Sequence, residues 1–101
     1  MATWQGQSGI NYEYEVRNIP HDVPPGGGNY IFVRSENNMW YPLYIGETQN
    51  FAARFQNHEK VPCAQQRSMN QIHYHIHNGN AQVRRAEEQD LVRRWNPPCN
   101  D

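Results

Sequence analysis

Apolar and polar positions alternate along several stretches of this chain and then shift to a helical period. Residues 11–19, NYEYEVRNI, alternate and are rich in β-formers, which predicts a strand. Residues 20–28, PHDVPPGGG, are dense in Pro and Gly and read as a loop. Residues 29–34, NYIFVR, and 40–46, WYPLYIG, predict a hairpin turning through SENN. Pro42 cannot donate to a ladder, so it belongs near a strand start or on an edge. Residues 71–77, QIHYHIH, alternate strictly and predict a further strand of the core. A first helix is expected over residues 49–59, with Phe51 and Phe55 turned into a core. Pro62 limits its extension, and residues 61–70 read as a short second helix. NGN at 78–80 reads as a turn and helix N-terminus for a last helix over 81–95, stopped by Asn96-Pro97-Pro98. The pattern predicts one small α+β domain: an antiparallel sheet flanked by helices, with an extra N-terminal strand on an edge.

Placed on these elements, the polar residues suggest chemistry. Asn50, Arg54 and His58 are spaced four apart, so on a helix they form one polar stripe. A tyrosine-rich strand running straight into that stripe suits an anionic phosphate. In the last helix Leu91, Val92 and Trp95 make the apolar stripe. Glu88 precedes Leu91 by three and Val92 by four and so falls inside it, whereas Glu87 and Asp90 fall outside. A carboxylate on a buried face needs a partner, because stranding its charge costs several kcal/mol, roughly. A hard divalent cation would serve, and so would Arg84, four residues earlier on the same face. Tyr30 and Tyr44 fall on neighbouring strands, where tyrosine is common for packing alone. His73, His75 and His77 line one face of their strand. Side chains two apart on a strand lie roughly 6.6 Å apart, too far for one zinc to take all three. A polar sheet face is the expected reading, with a metal-sensing strand as the alternative.

Charge and cysteines narrow the classes. The 101 residues carry nine basic and ten acidic side chains, a formal net charge of −1. That is not the footprint of a protein that clamps long DNA unaided. Every basic residue except Lys60 is an arginine, the side chain suited to bidentate phosphate contact. Arg84, Arg85, Arg93 and Arg94 form a basic patch on the last helix, with Arg84 and Arg85 as candidate nucleic-acid contacts. Cys63 and Cys99 occur without a CxxC, and no signal peptide is read, so both are expected as reduced thiols in a cytoplasmic protein.

Several of these residues fall in an order that resembles the GIY-YIG nuclease family. Gly28-Asn29-Tyr30 matches the first motif and Tyr44-Ile45-Gly46 the second. Arg54 and His58 match the helical pair, Glu88 the later glutamate, and Pro97 with Asn100 the closing Pro-x-x-Asn. The resemblance covers residues 28–100, leaving residues 1–27 as an added strand and loop. Asn29 stands where the family usually has Ile, and the two tyrosines are slightly further apart than usual. The resemblance implies a metal-dependent endonuclease acting on a nucleic acid, with DNA favoured, and leaving a 5′-phosphate. It implies one Mg²⁺ or Mn²⁺ held by Glu88 mostly through water, with Arg54 neutralising charge on the phosphate. Tyr30 positions or deprotonates the attacking water, Tyr44 and His58 position the phosphate, and Asn100 steadies the site. The general base is left open between Tyr30 and His58. No added DNA-binding domain is read, so a homodimer or partner subunit is expected to supply recognition. The alternatives are an idle module of the same fold that binds nucleic acid, and a protein-interaction domain using the acidic N-terminal arm.

Overall fold

The computed structural model of the chain describes residues 1–20 and 22–100. Among these residues a five-stranded sheet, antiparallel throughout, has the order β1-β2-β5-β3-β4. The strands are β1 (Ala2–Gln5), β2 (Asn11–Asn18), β3 (Gly28–Glu36), β4 (Met39–Thr48) and β5 (Gln71–Ile76). Helices α1 (Phe51–Gln56) and α2 (Val61–Gln66) lie between β4 and β5, and α3 (Ala81–Trp95) follows β5. The α+β class is as expected.

The interior strand β3 is buried from Gly28 to Val33 because both of its faces are covered. On one face Ile31, Val33 and Ile45 pack with Ala2, Trp4, Tyr14 and Leu91. On the other, Tyr30 and Phe32 pack with Leu43, Phe51, Ala64 and Tyr74. The β3–β4 turn runs through Asn37 and Asn38, with φ of 53° and 63°. That is the pair of left-handed residues a tight two-residue hairpin turn demands, and Asn tolerates it. β4 is an edge strand, which accommodates Pro42. Phe32 pairs with Tyr44 and Val33 with Pro42, so Leu43 is the extra residue of a β-bulge.

The N-terminal region differs from expectation. The strand expected at the edge, β2, pairs instead with β5, and a strand not read from the sequence, β1, forms the edge beyond it. β1 has only Ala2 and Trp4 as inward positions, too short a pattern to read. Trp4 lies in the same apolar cluster as Leu91, so these strands are continuous with the rest of the core. Asp90 of α3 fastens the loop after β1, accepting hydrogen bonds from the Ser8 main chain, the Ser8 hydroxyl and the Tyr12 hydroxyl.

Helices α1 and α3 begin and end on asparagines. Asn50 caps α1 by accepting from the Ala53 N–H, and Asn80 caps α3 by accepting from the Gln82 N–H. Asn96, left-handed at φ 45°, closes α3 before the two prolines. The expected reduced thiols are corrected: Cys63 of α2 and Cys99 of the C-terminal tail form a disulfide. The two lie 36 residues apart in the chain. Their proximity arises only once the tail runs back along β4, where the Cys99 N–H donates to the Leu43 carbonyl. No helix among the described residues is long and apolar enough to cross a membrane.

Candidate active site at the edge of the sheet

Tyr30 and Tyr44 stand on adjacent strands on the same face, with ring centroids 6.1 Å apart. Tyr30 is opposite Gly46, and a Cβ built there would lie 2.6 Å from the Tyr30 hydroxyl oxygen and 2.8 Å from the Tyr44 ring. The glycine is what lets the Tyr30 phenol lie across β4. Gly28 serves likewise, since a side chain there would run into the His75 carbonyl.

His58 reaches the tyrosines by a route the sequence did not suggest. α1 ends at Gln56, so His58 is not on a helical stripe with Asn50 and Arg54. Asn57 takes φ −148° and breaks the helix. The loop then folds back, placing the His58 ring 5.1 Å from Tyr44 and 4.9 Å from Phe32. His58 is buried, and its Nε2 lies 2.7 Å from the Tyr30 hydroxyl. Burial, helped by the nearby Arg54 charge, lowers its pKa to about 4, so the ring is neutral at pH 7. The Lys60 main-chain N–H donates to Nδ1 at 3.1 Å. A neutral imidazole that accepts at Nδ1 carries its proton on Nε2. Nε2–H therefore donates to the Tyr30 oxygen, leaving the phenolic proton free to point elsewhere.

Arg54 sits at the end of α1 with Tyr30 and Tyr44 within its field. Burial pushes both phenols above their ordinary value, and the Arg54 guanidinium works against that shift. Arg54 also makes two 2.8 Å hydrogen bonds to the exposed Glu59 carboxylate. That pair raises Arg54 and holds Glu59 down at about 2.

Glu88 approaches from α3 around the edge of β4. An open cleft of about 350 Å³ there is lined by Tyr44, Lys60, Glu88, Gln89, Arg93 and Asn100, among others. Burial and the neighbouring Glu47 charge raise the Glu88 carboxyl to about 6. Its alternative partner is excluded: Arg84 ion-pairs with Glu47 at 3.0 Å and donates to the His77 and Gly79 carbonyls. Arg84 is 4% exposed, so this expected nucleic-acid contact is an internal strut. Arg85 remains at the surface, with a long 3.7 Å contact to the same glutamate. Arg93 of the expected basic patch lines the cleft instead, together with Lys60, which sequence reasoning did not single out. Asn100 grips β4 at both sides of one peptide plane: its Oδ1 accepts from the Ile45 N–H and its Nδ2 donates to the Ile45 carbonyl. Asn29 donates to the Arg84 carbonyl, tying β3 to α3.

The neighbouring Glu87 corrects the helical-wheel reading. It is 5% exposed, and the buried face of α3 is Arg84, Glu87 and Leu91. A wheel built on apolar residues alone missed a face whose polar members are satisfied internally. Tyr14 donates to Glu87 at 2.6 Å, and His75 Nδ1 lies 3.1 Å from the same oxygen. The expected polar histidine face is also corrected. His73 is fully buried, accepts from the Trp4 indole at Nδ1 and bonds the Gln71 side chain through Nε2. Burial lowers its pKa to about 4. With both ring nitrogens occupied, it has no lone pair for a metal. His77 lies past the end of β5 and stacks on His75.

Among the described residues no three His, Cys, Asp or Glu side chains converge as a ready metal cage. Glu88 alone suits a hard cation that keeps most of its water: one raised carboxylate in an open cleft, its charge opposed by burial and by Glu47. No family model, curated protein or solved structure matches this chain.

Proposed function

We propose that the chain is a metal-dependent endonuclease of the GIY-YIG type, hydrolysing phosphodiester bonds in a nucleic acid, with DNA favoured. The observation that carries the reading is convergence. Tyr30, Tyr44 and His58 form one aromatic contact, Arg54 lies beside it, and Glu88 and Asn100 share a cleft with Tyr44. These residues come from five separate places in the chain. Packing alone would not require a buried neutral histidine on a tyrosine hydroxyl next to a carboxylate with a raised pKa.

Glu88 is the residue that would hold one Mg²⁺ or Mn²⁺, which when bound supplies a positive charge to the phosphate. Tyr30 handles the proton of the attacking water. Its oxygen accepts from His58 Nε2–H, and that bond and Arg54 oppose, without cancelling, the burial that keeps the phenol protonated; a bound cation would supply further lowering. His58 is thereby a positioning group, since its Nδ1 lone pair is taken by the Lys60 N–H. Tyr44 flanks the phosphate. Asn100, locked on Ile45, fixes the strand that carries Tyr44. Arg54, Lys60 and Arg93 supply local cations that the net charge of −1 conceals. Recognition of a longer target is assigned to a second copy or a partner subunit. Thiols in a cytosol are kept reduced, so the Cys63–Cys99 bond removes the support that free thiols lent to a cytoplasmic location.

A second reading, an idle nucleic-acid-binding module, is favoured by one observation: both hydrogen bonds of Arg54 to Glu59. One assay separates the two. Supercoiled plasmid and structured single strands are incubated with Mg²⁺ or Mn²⁺, and with EDTA. Cation-dependent cleavage supports the nuclease, and binding without cleavage under all conditions supports the idle module.

A further inference from the structure

A second cleft opens on the same edge of the sheet, beyond the C-terminal tail. It has a volume of about 330 Å³ and is lined by Arg34, Tyr41, Pro42, Leu43, Arg67, Trp95 and Pro98. No acidic side chain lines it. Its flat surfaces are a phenol, an indole and two prolines. The Arg34 guanidinium lies 4.4 Å over the Tyr41 ring, and its buried Nε makes no hydrogen bond; a Glu36 oxygen 3.5 Å away is an ion-pair contact only. Arg67 is exposed at the end of α2, and among the described residues no carboxylate forms an ion pair with it. Trp40 and Met39, at the start of the same strand, are 40% and 56% exposed.

Two arginines, of which Arg67 has no carboxylate paired to it among the described residues and Arg34 has only the 3.5 Å Glu36 contact, suit an anion. Flat apolar walls between them select a planar ring. One ligand that carries both at short spacing is a nucleotide, whose base stacks on aromatic surface while its phosphate meets arginine. A base inside a duplex is not available for such stacking. Tyr41 and Tyr44 are three residues apart on β4, roughly 10 Å along the strand. A nucleotide here would thus neighbour one at Tyr44 on the same extended strand. We propose that this cleft is a second nucleic-acid subsite, which takes an unpaired base beside the cleaved bond between Tyr41, Pro42 and Trp95, and its phosphate on Arg67 and Arg34. The inference rests on the nucleic-acid substrate of the nuclease reading and adds a preference for single-stranded or flapped structure.

Fluorescence anisotropy of a dye-labelled short single strand, with the full chain in EDTA, tests it without cleavage. The single strand should bind more tightly than a duplex of equal length. Arg67→Ala and Tyr41→Ala should each weaken single-strand binding by about tenfold, within the range for one stacked base or one lost phosphate contact. Arg67→Ala should also reduce the slope of log affinity against log salt by about 0.7. Arg67 is exposed, so its removal leaves the fold intact, and melting curves check both variants. Equal binding of duplex and single strand, no effect of either variant, or equal competition by an acidic peptide would each overturn the subsite. Loss of plasmid cleavage with this binding pattern intact would sink the nuclease reading and leave the subsite standing. Cleavage with unchanged binding would do the reverse.

Discussion

Glu87 and Glu88 are neighbours in sequence and belong to opposite regimes. Glu87 faces the closed side of the sheet, where Tyr14 and His75 hydrogen-bond its carboxylate and solvent is excluded. Glu88 faces the open cleft at the β4 edge, where burial and Glu47 oppose its charge. The tyrosines repeat the contrast: Tyr14 gives its proton to a carboxylate, whereas Tyr30 receives one from His58 and keeps its own free. A satisfied polar cluster specifies packing. A carboxylate left under-satisfied in an open cleft, as Glu88 is, is prepared for a ligand that completes it, whereas Tyr30, fully buried like Tyr14, differs from it in hydrogen bonding and not in exposure.

The contrast is broken most readily at the tyrosines. Tyr30→Phe should lower the cleavage rate about 10²-fold or more, as expected for loss of a proton-transfer group, and, because it strands the buried His58 Nε2–H, also destabilise the fold by about 1–3 kcal/mol. Tyr14→Phe should leave the rate near that of the parent but destabilise the fold by about 1–3 kcal/mol, because Glu87 loses a buried donor. Steady-state cleavage and thermal melting of both variants decide this. A large rate loss in Tyr14→Phe at a temperature where it is folded would erase the distinction. His58→Ala should cost less than Tyr30→Phe and keep the alkaline rise of the pH profile. A dead His58→Ala beside a nearly active Tyr30→Phe would pass the base to His58.

Reduction of Cys63–Cys99 comes next in size. The bond closes a long loop and should contribute about 2–4 kcal/mol. It also anchors the tail beside Asn100, so dithiothreitol should lower the melting temperature and the rate together. Loss of neither would mean that the tail is held by its hydrogen bonds to Leu43 and Ile45 alone.

The buried histidines and Glu88 also titrate in opposite senses. His58 and His73 have folded pKa values near 4, below the ordinary 6.5. Their contribution to stability is present above pH 6.5 and is lost as pH falls toward 4. Glu88 runs the other way: with its value raised from 4.5 to about 6, its contribution is present below pH 4.5 and lost as pH rises through 6. Glu88→Gln should therefore melt higher than the parent at pH 7.5, with the gap closing by pH 4. Cleavage by the parent should fall on an acid limb near pH 6. A constant gap across that range would show that Glu88 is not desolvated.

Much of the fold was legible because it follows from local pattern. The hairpin through Asn37 and Asn38, the helix start at Asn80 and the stop at Asn96-Pro97 all reside in a few adjacent residues, whereas Asn50, read as part of a helical stripe, is the cap of a shorter helix. The residues of the cleft were legible as a set, but their placement was not. His58 reached Tyr30 through a break at Asn57, not along a helix face. Glu87 was misassigned because a buried polar residue looks like a surface one until its partners, Tyr14 and His75, are brought from other strands. Arg84 was misread for the same reason, its partner Glu47 being 37 residues away. The disulfide and β1 depend on contacts between the two ends of the chain and the rest, which no local window contains.

The measurement that bears most directly on the proposed activity is the rate of supercoiled plasmid relaxation in Mn²⁺ for the parent, Glu88→Gln and Glu87→Gln, each below its melting temperature. The expected result is relaxation by the parent that EDTA stops, relaxation by Glu87→Gln at a comparable rate, and none by Glu88→Gln. No relaxation by the parent with any divalent cation, or equal rates for the parent and Glu88→Gln, would contradict it.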